Sequence, residues 1–148
     1  MQITFKQIGL IHTPFDKPDG MPIQSARSQT AGMVEVFPEY SDGLDGVESF
    51  SHLYLLYAFH RAEPVTALKV TPFLDDRQHG IFACRYPLRP NPLGISVVRL
   101  TARRENRLEF LGADMLNGTP LLDIKPYIPE FDVYEPTQIG WYGKRAHQ

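Results

Sequence analysis

Three polar residues near the end of the chain are spaced in a way that could support proton transfer. Asp123, Lys125 and Tyr127 lie two positions apart, so on a β-strand all three side chains project from one face. A carboxylate, an amine and a phenol on one face could hold and pass a proton. The same spacing is typical of an exposed salt bridge beside a solvated tyrosine, and the residues alone slightly favour that alternative.

A second set of polar groups lies in a loop that its prolines make rigid. Within "CRYPLRPNPLG", residues 84–94, Arg89 and Asn91 each precede a proline, which keeps their backbone extended. A loop that is ordered in advance loses little entropy when a ligand binds, and Gly94 permits a close approach of the backbone. The pattern favours a binding loop over a stiff corner of the fold.

Two more loops have unusual composition. Residues 13–27 contain three prolines and one glycine, and long ordered loops in compact domains are often functional; a plain surface excursion is an equal alternative. Residues 114–129 contain Asn117-Gly118, the strongest short-range turn signal in the sequence. Both loops are candidates for binding a ligand.

Short β-like runs dominate the rest of the chain and must position these loops. We predict about seven strands in a small, mostly antiparallel, closed β-barrel with one short helix near residues 38–47. The stretch 52–60 is nearly all apolar and predicts a central strand buried on both sides. Glu105-Asn106 predicts a hairpin turn. We expect a barrel domain over residues 1–132 and a polar tail over 133–148.

Other common chemistries find no support in the sequence. The five histidines lack metal-binding spacing, and no phosphate-binding glycine motif or GxSxG motif is present. The acids in "GADML" (112–116) and "DGLDGVE" (42–48) lack the spacing of a calcium loop. Cys84 is the only cysteine, which excludes an internal disulfide and a multi-cysteine zinc site. We therefore predict no metal ion.

Composition indicates a globular protein with one basic region. The 148 residues carry a net charge of −2, but residues 77–107 hold seven arginines and one acid. Such a zone can hold phosphate or another anion, or about half of its arginines can simply face solvent. The single cysteine fits a reducing cytoplasm, and neither a signal peptide nor a membrane-spanning run is evident.

Five stretches of the chain, in this order, resemble the TsaA-like, TrmO-type family. They are "IGLIHTPF", "MPIQ", "FSHLYLLYAFH", "GIFACRYPLRPNPLGISVVRL" and "NGTPLLDIKPYIPEFD", and the resemblance covers roughly residues 5–132. Its characterised members are S-adenosyl-L-methionine-dependent methyltransferases that modify N6 of threonylcarbamoyladenosine beside the tRNA anticodon. The resemblance implies a small β-barrel, a homodimer and a cofactor held near the subunit interface.

The resemblance also implies which residues contact the cofactor. They are Pro22, Ile23, Gln24, His60, Arg61, Arg89, Leu100, Leu116, Asn117, Gly118 and Thr119. At two of these positions the chain departs from the family pattern: Ile23 replaces an arginine, and Asn117 replaces an aspartate. The family's usual Ser-Pro-His before "RPNP" is Tyr86-Pro87-Leu88 here, a change that could alter the pocket for the target base.

Methyl transfer to N6 requires alignment of the reacting atoms and removal of the N6 proton. We hypothesise that the Asp123–Lys125–Tyr127 face, or Arg89 with Asn91, positions the substrate and handles that proton. An arginine fork matches the threonyl carboxylate, and Arg85 and Arg89 are the candidates. Residues 77–107 would contact tRNA phosphates. A methyltransferase with a different substrate and a non-catalytic S-adenosyl-L-methionine-binding barrel are the alternatives.

Overall fold

The computed structural model describes residues 1–63 and 67–145. These residues fall into two compact units: residues 1–60 with 93–128, and residues 61–63 and 67–92 with 129–145. The last three residues of the predicted tail, 146–148, lie outside the described part of the chain. The predicted domain boundary at residue 132 stays a prediction.

The described residues contain eight strands, six of which form a closed barrel in the first unit. The strands are Gly9–His12 (β1), Ala31–Val36 (β2), His52–Ala58 (β3), Lys69–Val70 (β4), His79–Gly80 (β5), Leu93–Arg104 (β6), Arg107–Leu111 (β7) and Thr119–Pro126 (β8). The barrel order is β1-β2-β7-β6-β3-β8, and every pairing is antiparallel. The predicted closed antiparallel barrel is confirmed, with six barrel strands rather than seven.

Alternation of side chains along each strand fills the barrel. In β3, Leu53, Leu55 and Tyr57 are buried and the residues between them are half-buried. The prediction that this strand is buried on both sides is therefore wrong, because its outer face is partly open to solvent. Leu53 and Leu55 pack with Phe110, Leu121 and other buried apolar residues into one core, and burial of that apolar surface is the main force that holds the barrel.

Turns and irregularities in pairing let the sheet close. Glu105 has φ 57° in the turn between β6 and β7, which confirms the predicted hairpin, and Arg103 Nε donates to the carbonyl of Glu105 at 3.0 Å. The register shifts between Leu56 and Tyr57 in the pairing of β3 with β8. It shifts again between Leu100 and Ala102 where β6 meets β7. Such irregularities bend strands and raise their twist, as barrel closure requires.

Helical segments differ from the sequence-based expectation. Residues 38–47, predicted as a helix, form the 3-10 helix Pro38–Leu44 and the start of a second one, Val47–Ser49. Gly46, with φ 88°, separates the two, because a left-handed residue cannot continue a helix. The short α-helix lies instead at Pro129–Asp132 (α1).

The second unit has little regular structure. Its strands β4 and β5 form a two-stranded antiparallel sheet. Residues Ile81–Ala83 form a 3-10 helix directly after β5. Near the end of the described chain, Gly140–Lys144 form another 3-10 helix. Within residues 1–63 and 67–145, no helix is long and apolar enough to cross a membrane.

Gly94 provides a test of barrel packing. A Cβ atom at this position would lie 2.2 Å from a ring carbon of Tyr57, so the close approach at Gly94 in this structure is made by an aromatic ring. We expect Gly94→Ala to lower the free energy of unfolding by roughly 1–3 kcal/mol, as overpacking does, measured by urea denaturation. The control is Gly43→Ala, whose added Cβ meets no atom within 4 Å. Equal effects of the two substitutions would contradict this packing.

Candidate functional site at one end of the barrel

Strand direction brings three of the predicted cofactor segments to one end of the barrel. Because the strands are antiparallel, the end of β3, the start of β2 and the start of β8 lie at the same end. His60 follows β3, residues 22–24 precede the 3-10 helix Ser25–Arg27 that leads toward β2, and residues 116–119 lead into β8. Segments far apart in sequence therefore share one rim of the barrel.

Hydrogen bonds fasten the turn at Asn117-Gly118 to the residues that follow β1. The backbone N–H of Thr13 donates to Asn117 Oδ1 at 3.1 Å, and the Thr13 hydroxyl donates to the carbonyl of Met115 at 2.8 Å. Gly118, with φ 79°, donates its N–H to the carbonyl of Ile11. The predicted turn is confirmed, and asparagine supplies the side-chain oxygen that an aspartate would supply at position 117.

Ser25 fixes the other loop against β6. Its hydroxyl donates to the carbonyl of Val97 at 2.5 Å, and Ser28 donates to the carbonyl of Ala113 at 2.7 Å. Gly112, with φ 106°, leaves room for Ser25, since a Cβ there would lie 2.6 Å from the serine hydroxyl oxygen. The segment 22–24 therefore ends in a residue held firmly by the barrel.

A chain of hydrogen bonds runs from the barrel interior to Asp114 at this rim. The Ser96 hydroxyl donates to Asp114 Oδ1 at 2.6 Å, and Tyr57 Oη lies 2.8 Å from Ser96 Oγ. Because serine has one hydroxyl proton and gives it to the carboxylate, Tyr57 must be the donor to Ser96. Tyr57 is 3% exposed and Ser96 is 4% exposed, whereas Asp114 is only half-buried.

Burial changes the acidity of both ends of this chain. Burial raises the pKa of Asp114 to about 6, although hydrogen bonds from Ser96 and from the backbone N–H groups of Ser25 and Asp114 act to lower it. The pKa of Tyr57 is also raised, first by burial and then by the negative charge of Asp114. Asp114 is therefore a carboxyl group that changes charge close to neutral pH.

In the second unit, the arginine loop is held by its own side chain. Arg89 Nη1 donates to the carbonyls of Cys84 at 2.8 Å and Tyr86 at 3.2 Å, which keeps the loop compact. Arg85 and Asn91 are exposed. Burial raises the pKa of the Cys84 thiol, which disfavours a reactive thiolate. The roles predicted for Arg85, Arg89 and Asn91 stay predictions, as does the role of Arg61 in the same unit.

The C-terminal residues brace the chain just before that loop. Trp141 Nε1 donates to the carbonyl of Ala83 at 2.7 Å, and its ring stacks on His79 with centroids 5.1 Å apart. His79 Nε2 in turn lies 2.7 Å from a carboxylate oxygen of Asp75. Part of the predicted tail is thus a structural element of the second unit.

The Asp123–Lys125–Tyr127 group lies along β8, away from the rim that carries Asp114. Lys125 forms an exposed ion pair with Asp123 at 3.4 Å, and Tyr127 contacts the rings of His52 and Tyr54. Asp123 comes four positions after Thr119 on β8, roughly 13 Å along an extended chain. This is the exposed salt bridge that the sequence offered as the alternative reading, and the catalytic role stays a prediction.

Other polar candidates are dispersed over the first unit. Three arginines of the basic region have carboxylate partners: Arg103 pairs with Glu48, Arg104 with Glu109 and Arg107 with Glu35. Leu100 packs against the barrel core. Within residues 1–63 and 67–145, no group of three or more His, Cys, Asp or Glu side chains could hold a metal ion.

A cleft of about 410 Å³ opens at the opposite end of the barrel from Asp114. Ile8, Val36, Phe50 and Pro126 form part of its mainly apolar wall, and Asp123 also lines it. The predicted cofactor residues are absent from its lining. The cleft and the rim with Asp114 are therefore separate features of the first unit.

Asp114 is the residue that the sequence analysis missed. In "GADML" the acid lacks the spacing of a calcium loop, yet its carboxylate receives hydrogen bonds from Ser96 and from the N–H of Ser25. The available signal was a lone acid among small and apolar residues directly before the Asn-Gly turn. An acid in such a setting is desolvated, and desolvated acids have perturbed pKa values.

Comparison with known proteins decides the family. The sequence profile of the tRNA-methyltransferase O N-terminal domain matches residues 10–133. The chain belongs to this family. The crystal structure of TrmO from Pseudomonas aeruginosa superposes with a TM-score of 0.79 and 36% identity, over 95% of this chain and 62% of that one. The present chain thus spans about three fifths of that TrmO chain.

Two relatives of the chain have names that describe different functions, one a binding protein and the other an enzyme. A protein of Pyrococcus abyssi named as a probable S-adenosyl-L-methionine-binding protein is 53% identical, over 100% of this chain and 80% of the relative. The tRNA (adenine(37)-N6)-methyltransferase of Escherichia coli K12 is 36% identical, over 84% of this chain and 57% of that enzyme.

The pKa of Asp114 predicts how the stability of this TrmO-type barrel depends on pH. Because the folded-state pKa is raised from 3.8 to about 6, the folded protein binds this proton more tightly, and stability falls as pH rises through that interval. We expect Asp114→Asn, which removes the charge, to raise the free energy of unfolding at pH 8 by on the order of 1–3 kcal/mol. At pH 4 the effect should be smaller. Urea denaturation at both values measures this, and an equal effect at the two pH values would contradict it.

Proposed function

We propose that this protein is an S-adenosyl-L-methionine-dependent methyltransferase that methylates N6 of threonylcarbamoyladenosine in tRNA beside the anticodon. The observation that carries this is 36% identity, over 84% of the chain, with the Escherichia coli tRNA (adenine(37)-N6)-methyltransferase. The TrmO family match over residues 10–133 supports the same reading. We also propose that residues 1–132 are the TsaA-like domain, that residues 133–148 are its tail and that the protein is cytoplasmic and needs no metal ion.

The chemistry of the barrel rim fits the cofactor. S-adenosyl-L-methionine supplies an activated methyl group on a positively charged sulfur. The Asp114 carboxylate lies next to the segments 22–24 and 116–119, and its negative charge suits a cationic ligand. The hydrogen bonds made by Ser25 and Asn117 hold both segments in place before any ligand binds. A preformed site of this kind reduces the entropy lost on binding.

We propose that the remaining predicted residues complete the site. His60, Leu100 and the backbone of residues 116–119 would contact the cofactor from the barrel. We also propose Arg61 and Arg89 as cofactor residues, because the family resemblance implies them. The guanidinium of Arg85, which is exposed, would meet the threonyl carboxylate, because its fork matches a carboxylate with two hydrogen bonds.

A non-catalytic S-adenosyl-L-methionine-binding protein is the second candidate function. It is favoured by the name of the Pyrococcus abyssi relative, which covers the full length of this chain. In that case the cofactor would bind with no methyl transfer to tRNA. A methylation assay with radiolabelled cofactor and threonylcarbamoylated tRNA distinguishes the two functions.

We further propose that the protein is a homodimer. On the outer face of the barrel, Ile95 is 52% exposed and Leu93 is 48% exposed, and Leu56 on the adjacent strand is paired with Ile95. Neighbouring apolar side chains on a protein surface are typical of an interface. A second copy of the chain is the partner that the family resemblance implies.

Arg85 tests the substrate. We expect Arg85→Ala to raise the KM for threonylcarbamoylated tRNA about 10- to 100-fold, the loss of a charged hydrogen bond, with a smaller effect on unmodified tRNA. The assay is methyl incorporation, and Lys69→Ala, another exposed cation of the second unit, is the control. A wild-type KM for the Arg85 variant would exclude the proposed contact between Arg85 and the threonyl carboxylate. Cofactor binding by the wild-type protein without methylation would favour the binding function.

Ile95 tests the assembly. We expect wild-type protein to have the mass of a dimer in light scattering after size-exclusion chromatography, and Ile95→Glu to have the mass of a monomer, because an unpaired charge in an apolar interface is costly. Thr101→Glu, at another exposed position of β6, is the matched control. A monomeric wild-type protein would end the proposal, and a dimeric Ile95 variant would exclude this face.

A further inference from the structure

We propose that Asp114 accepts the N6 proton of the substrate during methyl transfer. The proposal deepens the proposed function, on which it rests, and it assigns the base to a residue that the sequence pattern did not identify. Three observations support it: the position of Asp114 between two predicted cofactor segments, the direction of the hydrogen bonds that reach it, and its partial exposure.

Position is the first observation. The backbone N–H of Ser25 donates to the Asp114 carboxylate, and Ser25 directly follows the predicted cofactor residue Gln24. On the other side, Leu116 begins the second predicted segment two residues after Asp114. The carboxylate therefore lies between the two rim loops that are proposed to bind the methyl donor. A base must lie close to the methyl donor in order to reach the acceptor nitrogen.

Direction is the second observation. Tyr57 donates to Ser96 and Ser96 donates to Asp114, so both protons of the buried chain point toward the carboxylate. A carboxylate has about four lone-pair positions, and the hydrogen bonds from Ser96 and Ser25 leave some of them available. The buried donors orient the Asp114 carboxylate, and its remaining lone pairs can accept a proton from the substrate.

Exposure is the third observation. Tyr57 and Ser96 are almost fully buried, and Asp114 is the half-buried member of the chain. A proton can therefore enter or leave this network at Asp114. The groups that face the carboxylate are Ser25 from the 3-10 helix and Ser96 from β6, with Tyr57 of β3 behind it. The pKa of Asp114, raised by burial to about 6, leaves it mostly ionised at neutral pH and able to accept a proton.

The proton and electron count is complete with the cofactor already named. The N6 nitrogen forms a bond to the methyl carbon as the bond from that carbon to the sulfonium sulfur breaks, and sulfur keeps the electron pair as a neutral thioether. The N6–H bond breaks, its electrons stay on nitrogen, and the proton passes to the Asp114 carboxylate. Release of that proton to water then restores the carboxylate for another cycle.

The earlier candidates for the base are less suited to this role. Asp123 is paired with Lys125, and its Oδ1 accepts a hydrogen bond from the N–H of Ile124. Arginine does not lose its proton in proteins, so Arg89 cannot accept one. Asp114 combines an oriented carboxylate with a location at the rim of the predicted cofactor segments.

The first part of the test is the pH dependence of kcat with saturating cofactor and threonylcarbamoylated tRNA. For wild-type protein we expect kcat to fall toward low pH, because protonated Asp114 cannot accept a proton. Asp114→Asn should lower kcat roughly 10²- to 10⁴-fold and abolish that dependence. Ser96→Ala removes a hydrogen bond that lowers the pKa of Asp114, so it should move the fall in kcat to higher pH. Glu39→Gln, at an exposed carboxylate on the 3-10 helix Pro38–Leu44, should match the wild type.

The second part needs no turnover. A carbon-13 NMR titration of the Asp carboxyl groups in the ligand-free protein should show one signal, absent in Asp114→Asn, that titrates near pH 6 and shifts upward in Ser96→Ala. Calorimetry measures the affinity of Asp114→Asn for S-adenosyl-L-methionine, which we expect to be lower because the carboxylate charge is lost, so kcat is compared with each protein saturated by its cofactor.

The possible results distinguish a failure of the role of Asp114 from a failure of the proposed methyltransferase function. Active wild-type protein with an unchanged kcat in Asp114→Asn would overturn the role of Asp114 and leave the methyltransferase function intact. So would a titration of Asp114 near pH 4, or a loss of cofactor affinity that alone accounts for the lost activity. Wild-type protein that binds the cofactor but methylates no tRNA would overturn the proposed function itself.

Discussion

The pairing of β1 with β8 is the constraint on which the rest of the barrel depends. Gly9, Leu10 and Ile11 pair with residues 119–121, more than a hundred positions later, and this pairing turns an open sheet into a closed one. Closure removes the exposed strand edges that would otherwise bind other chains. It also delivers the turn at Asn117-Gly118 to the end of β1, where Thr13 holds it with two hydrogen bonds.

Closure of a small barrel leaves an interior that side chains must fill completely. Most of this interior is apolar, with Leu55, Phe110 and Leu121 among the fully buried residues. Tyr57 and Ser96 are exceptions near the rim, and their hydroxyl groups bond to each other and to Asp114. A buried hydroxyl without a partner would cost about 1–3 kcal/mol, so a complete polar chain adds to the stability of the barrel.

Asp114 links stability to function in this polar chain. Its charged form is disfavoured by burial, so the ionised carboxylate costs the folded protein free energy at neutral pH. A group kept in spite of such a cost is typical of functional sites, where perturbed pKa values cluster. In the second unit, side-chain donors hold the irregular backbone. Arg89 donates to the carbonyls of Cys84 and Tyr86, and Trp141 donates to the carbonyl of Ala83.

Local sequence pattern was sufficient for the features that depend on a few neighbouring residues. Apolar alternation identified the β-class, and Asn117-Gly118 and Glu105-Asn106 identified turns, because turn geometry is decided by residues within the turn itself. The series of short strands also predicted a closed barrel, and the family motifs implied a small β-barrel as well. Strand count, the 3-10 form of residues 38–47 and the exposed outer face of β3 were beyond such patterns, since each depends on distant partners.

The candidate site divides in the same way. Sequence motifs identified loops that could bind a ligand, because proline and glycine reveal rigid or unusual backbone wherever they occur. Only the tertiary structure distinguished Asp114, in a loop, from Asp123, on β8. Two aspartates have the same intrinsic acidity, and the difference arises from burial beside Ser25 and Ser96, residues 89 and 18 positions away in sequence. Chemistry that depends on desolvation and on such distant hydrogen-bond donors exists only once the barrel has closed.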